Sequence, residues 1–289
     1  MAAAQYRRTA RQRETGTGDS AAAVPVSGRG RQPVHRIHLQ LHQKGDRRHG
    51  DKTPREYRRI PGGKRQSAGG AGTGAGKAQS HSRASDGIEF RTFDKVQGIG
   101  GRAACQDDWE TFSIMRRSQY LPWEEELLEQ WLAAFQAAAD AGRNLIMEKY
   151  ARMMESTDPA EYAAFADQLP ALSPEFVQLR EAVIAIQIPW MEEFAAQYPN
   201  LASRARVIHT AEDSPAQTSY ETYLRGELSV YPFEILYGYG RWVVSLYQSG
   251  ENLTCLTMAE TVRAYGYGSL EDAEKACGET PLSGIPLHL

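Results

Sequence analysis

From about residue 107 onward the apolar positions recur at three- and four-residue spacing, the period of helices buried along one face. Asp107 reads as the cap of a helix ending near Tyr120, and Pro122 as the start of the next, where Leu127, Leu128, Trp131, Leu132 and Phe135 form one stripe. Gly142 interrupts, and Leu145, Ile146, Tyr150 and Met153 carry the pattern on. Asp158-Pro159-Ala160-Glu161 and Ser173-Pro174-Glu175 each place a cap, a first-turn proline and an acidic residue in order, so two more helices start there. The second carries Phe176, Leu179, Val183, Ile186, Trp190 and Phe194 past Pro189, which predicts one kinked helix rather than two. Residues 198–217 lack a period and read as a long connection. Helices resume over residues 219–225, 232–249, 257–265 and 270–277. The alternation of a half-buried strand is scarce, so the expected class is all-α, a helical bundle.

The first ninety residues are of another kind. They hold 18 Lys and Arg against 7 Asp and Glu, leaving 15 against 29 for residues 91–289, so the formal net charge of -3 is a cancellation. All five Trp lie after residue 90. A segment with so few large apolar side chains cannot offset the entropy of ordering its backbone, so residues 1–90 are expected to be a disordered basic extension ahead of a helical domain at 91–289. An alternative is a basic arm for nucleic acid, but only Tyr6 and Tyr57 stand among its arginines, too few for stacking on bases. The abrupt change in composition also fits coding text read in the wrong frame upstream of Phe93. Residues 71–78 approximate a phosphate-binding loop but lack the Ser or Thr hydroxyl after Lys77. Gly98, Gly100 and Gly101 mimic a dinucleotide fingerprint but follow no buried strand. No cofactor is implied. With no long apolar run and no signal-peptide pattern, a cytoplasmic location away from membranes is expected, and the three cysteines form no CxxC pair.

Laid on itself with an offset of 111 residues, the helical domain repeats. Asp108-Trp-Glu-Thr-Phe112 matches Ser219-Tyr-Glu-Thr-Tyr223, Ser118-Gln-Tyr120 matches Ser229-Val-Tyr231, and Pro122 and Pro232 follow. With small shifts Gly142-Arg-Asn-Leu145 matches Gly250-Glu-Asn-Leu253, and residues 156–161 match 269–274. Two pseudo-symmetric repeats, about 105–165 and 216–277, are the expectation. The repeated Glu110 and Glu221 stand at capping-box spacing from Asp107 and Thr218, which is one use for them. The other is a polar pocket for a small molecule where the repeats meet, lined by Glu110, Glu221, Arg116, Arg225 and Glu227. No Glu-x-x-His pair accompanies them, so no metal is expected. Cys105, near a helix start, and His209, beside Glu212 and Asp213, are candidate reactive groups. The acidity of residues 91–289 argues against a nucleic-acid surface.

Residues 105–120, 142–155 and 218–229 resemble a bacterial family catalogued as domain of unknown function 4125, from about Phe93 onward. The resemblance implies no activity or ligand. It does imply a helix before the Gly-Gly-Arg stretch, which looks missing here upstream of Phe93. The functional readings are a polar small-molecule pocket between two duplicated units, a non-catalytic interaction or scaffold protein, or an enzyme using a Glu with His209 or Cys105.

Overall fold

Two turns show how local chemistry sets the helix boundaries. Gly142 (φ 78°) and Gly250 (φ 77°) adopt the left-handed conformation that ends a helix without a Cβ penalty. Two residues on, Asn144 and Asn252 cap the next helix, each side-chain oxygen accepting from a backbone N–H, Met147 at 2.9 Å and Cys255 at 3.1 Å. Each amide nitrogen donates elsewhere, Asn144 to the Thr92 carbonyl (3.0 Å) and Asn252 to the Trp190 carbonyl (3.1 Å).

In this computed structural model residues 87–96 and 106–279 are described. Among them the helices are α1 (residues 87–93), α2 (Trp109–Tyr120), α3 (Glu125–Asp140), α4 (Leu145–Thr157), α5 (Pro159–Tyr162), α6 (Pro174–Gln197), α7 (Pro199–Ala202), α8 (Tyr220–Leu228), α9 (Phe233–Ser249), α10 (Leu253–Ala264) and α11 (Leu270–Glu279). The class is all-α, with no strand among the described residues. None of these helices is long and apolar enough to cross a membrane. The basic extension up to residue 86, the phosphate-loop-like stretch, the glycines at 98–101 and Cys105 lie outside the described residues.

Several boundaries move from their expected places. Helix α1 straddles the expected domain boundary at residue 91, and it occupies the place where a helix looked missing. The caps of α2 and α8 are Asp108 and Ser219, one residue later than Asp107 and Thr218. Ser219 wins because its own N–H is already taken by Asp213 (2.6 Å), while the Thr218 carbonyl accepts from Arg206 (3.2 Å). Pro122 precedes α3 by a turn that buries Trp123 against Tyr120, Tyr231, Tyr239 and Trp242. Helix α6 runs unbroken through Pro189.

Packing is reciprocal. α2 lies on α10 and α8 lies on α4, while α3 meets α9 and α6 runs against α8, α9 and α10. The main core gathers Trp131, Phe135, Leu128, Leu228, Leu236 and Val243, and a smaller one joins α6 to α10 and α11 through Phe194, Leu201 and Val262. The α4–α8 crossing depends on Gly226, where an added Cβ would meet Met153 Cγ at 2.8 Å and the Lys149 carbonyl oxygen at 3.0 Å. Helix propensity favours alanine over glycine by about 1 kcal/mol, but overpacking costs about 1–3 kcal/mol and a backbone oxygen cannot swing aside. Gly226→Ala is therefore expected to lower the urea midpoint by the equivalent of about 1–2 kcal/mol at an unchanged m-value. Gly238→Ala, which meets only the tip of Leu127, is expected to leave the midpoint nearly in place.

Candidate functional site

Because α8 can approach α4 at Gly226, charged side chains from four helices meet between them. Tyr223 and Glu227, one turn apart on α8, share a face. Lys149 of α4 donates to the Tyr223 hydroxyl (2.8 Å) and to Glu227 Oε2 (2.8 Å). Arg116 of α2 lies 3.3 Å from Glu227 Oε1, and its Nε lies 3.1 Å from Glu89 Oε2 of α1, an ion pair rather than an aligned hydrogen bond. The Tyr120 hydroxyl donates to Glu89 Oε1 (2.5 Å) and accepts from the Trp131 indole (3.0 Å). Arg116, Lys149, Glu89 and Glu227 are all at most 5% exposed. Arg116 and Glu227 stand 111 residues apart, the offset of the repeat expected from the sequence.

Burial is the largest influence on every one of these groups, and the neighbours decide the outcome. Burial would raise the Glu227 carboxyl, but the Lys149 and Arg116 cations override it and hold the group down at about 2. Glu89 goes the other way, because its burial outweighs Arg116. Burial would likewise raise the Tyr223 phenol, yet Lys149, Arg116 and Arg206 pull it below its ordinary value. Arg206 lies over the Tyr223 ring at 4.7 Å from the centroid and donates to the Thr218 carbonyl, with no carboxylate in ion-pair contact among the described residues. Lys149 also lies over the half-buried Tyr150 ring, at 5.2 Å.

Of the residues singled out by sequence, Arg116 and Glu227 come together in this network. Glu221 and Arg225 pair with each other (2.7 Å) on another face of α8, where Arg225 also meets Glu181 (3.0 Å) and Glu221 accepts the Thr210 N–H (2.9 Å). Glu110 is exposed in the first turn of α2. The His209 imidazole lies 3.2 Å from Glu192, while Glu212 accepts the His209 backbone N–H. Asp213 instead accepts from Ser156 (2.6 Å), Thr222 (2.5 Å) and the Ser219 N–H. Glu89, Tyr120, Lys149, Tyr150, Arg206 and Tyr223 were not anticipated. Lys149 had a legible signal, a cation three residues after Ile146 and four before Met153 on a buried stripe. Glu89 had none, because it sits among residues assigned to the extension. Among the described residues no group of His, Cys, Asp and Glu is arranged to hold a metal ion.

A carboxylate held below its ordinary value stabilises the fold above that value and loses this contribution as acid protonates it. For Glu227 the window runs from 4.5 down to about 2, a difference on the order of 3 kcal/mol. Glu89, shifted upward, acts in the opposite sense and at higher pH, between its raised value and 4.5. Glu227→Gln is expected to flatten the acid limb of unfolding free energy over that window and to cost about 3–5 kcal/mol at neutral pH by stranding two buried cations. Urea titrations across pH check both, and an acid limb as steep as the parent's would contradict the assignment. No curated protein and no solved structure matches the chain. The family described as "Protein of unknown function (DUF4125)" matches residues 87–275, and the chain belongs to it.

Proposed function

We propose that this chain is a cytoplasmic binding protein of two duplicated helical units, and that it holds the phosphoryl or carboxylate group of a small molecule beside Lys149, Tyr150, Arg206 and Tyr223. The observation that carries the reading is an excess of donors. Three cations, Arg116, Lys149 and Arg206, face two carboxylates, Glu89 and Glu227. The hydroxyl protons of the half-buried Tyr150 and Tyr223 have no acceptor among the described residues. A phenol without an acceptor and a guanidinium without a carboxylate partner, at the edge of a low-dielectric network, favour an anion with several acceptor oxygens. In this reading Arg116 and Glu227 hold the site together from behind, rather than touching the ligand.

Duplication is supported by the reciprocal packing of α2 on α10 and α8 on α4, by α3 meeting α9, and by the matched Gly and Asn turns. The free thiols Cys255 and Cys277 support a reducing compartment. The acidic balance of residues 91–289 speaks against nucleic acid as the anion. An interaction protein would instead use the exposed Phe233, Tyr237, Val244 and Tyr247 along α9. The donor cluster is the more specific feature, because it names a ligand chemistry.

Thermal-shift and calorimetric titrations with inorganic phosphate, phosphate monoesters and small carboxylates test the proposal and separate the two anion classes. Arg206→Ala, at a partly exposed position, is expected to weaken the bound anion roughly 10- to 100-fold, the value of one charge-assisted hydrogen bond. Tyr223→Phe is expected to weaken it less. Absence of any stabilising anion, or unchanged affinity in Arg206→Ala, would sink the idea.

A further inference from the structure

On the opposite flank of α4 from Tyr150, a cleft of about 280 Å³ lies between Ala134 and Ala138 of α3, Leu145 and Arg152 of α4, Phe176 at the start of α6 and Tyr231 in the α8–α9 turn. Its walls are mainly apolar, and the two alanines on α3 leave the room. That volume falls just below the ~300–1,000 Å³ of most ligand pockets, so the cleft has room only for a small molecule. Two guanidiniums reach it, in different states. Arg143 is neutralised by a two-pronged pair with Glu148, at 3.0 and 2.7 Å. Arg152 donates from Nη2 to the Pro170 carbonyl (2.5 Å), its Nε is buried without an acceptor, and no carboxylate lies in ion-pair contact with it among the described residues. The neighbouring guanidiniums behave otherwise, since Arg180 pairs with Glu181 at 2.7 Å and Arg225 with Glu181 and Glu221.

We propose that the cleft is a second binding site, which takes a small organic acid with an apolar body and sets its carboxylate against Arg152. A cation half withdrawn from water and left without a carboxylate in direct contact is costly, and an acid from solution lowers that cost while its body covers Leu145, Leu172, Phe176 and Val230. Burial depresses the Arg152 guanidinium below its ordinary value, and the opposing influence of Tyr162, Glu148 and Glu155 does not restore it. The donors beside Tyr223 are not involved, because they lie across α4, so this inference does not rest on the function proposed above.

Calorimetry on the full chain, with phenylacetate and hexanoate as probes, tests it. Both acids are expected to bind saturably at about millimolar concentration or below, with phenylacetamide and acetate each weaker by roughly tenfold or more. Arg152→Met is expected to abolish acid binding, and Arg206→Ala to leave it intact. Ala138→Leu fills the cleft without altering a charge, and it is expected to abolish binding as well, which keeps the test valid should Arg152→Met fail to fold. The proposal is overturned if neither acid binds, if phenylacetamide binds as well as phenylacetate, or if Ala138→Leu binds as well as the parent. Loss of phosphate binding in Arg206→Ala with phenylacetate binding retained would separate the two sites.

Discussion

A carboxylate removed from water survives as an anion only where cations and hydrogen-bond donors take the place of its hydration, and Glu227 is where this protein meets that condition. Lys149 and Arg116 approach the same carboxylate from two helices, while Arg116 reaches on to Glu89 of a third. The net gain in stability from such a network over a well-packed apolar one is small or negative. Its consequence is specificity, since sliding α8 along α4 by one turn would separate Lys149 from Glu227 and strand both charges. Gly226 permits the close approach, and the ion pairs fix the register.

Under the proposed duplication the two halves differ in charge at matched places. The carbonyls of Thr92 and Trp190 each accept from a capping Asn, which sets Glu89 and Gln187, each three residues earlier, in correspondence. Each accepts from a buried tyrosine, Glu89 from Tyr120 and Gln187 from Tyr239 (3.2 Å). At the 111-residue offset Arg116 is matched with Glu227, so in that proposal a cation of one copy pairs with a carboxylate of the other instead of being repeated. The cations collect on the α1–α4 side, whereas Gln187, set in correspondence with Glu89, is neutral. A second arginine in the place of Glu227 would repel Arg116 in a medium of low dielectric.

Helix α4 is the element on which the polar chemistry converges. Its sequence alternates partners around the cylinder, with Lys149 and Met153 toward α8, Tyr150 toward Phe93, and Leu145, Glu148 and Arg152 toward the cleft. A change at α4 would therefore be felt on both flanks, while its N-terminus stays tied to α1 through Asn144.

Much of the architecture was legible in the sequence because helices are local objects. The stripes of α3 and α6, the caps Asp158 and Ser173, the stop at Gly142 and the continuity of α6 through Pro189 follow from spacing, φ and side-chain reach within a few residues. The candidate site was legible only in part. Arg116 and Glu227 stood out through the internal repeat, but their being 3.3 Å apart depends on helices that meet across more than a hundred residues. Glu89, at the edge of a basic, apolar-poor stretch, acquires meaning only because Tyr120 and Arg116 are packed over it. The capping of α2 and α8 turned on contacts that propensity cannot see, Asp213 at Ser219 among them. Composition and period thus determined which residues form helices and which faces they bury. Tertiary contact alone decided which charges would lose their water, since desolvation and pairing depend on the neighbours in space and not on those in the chain.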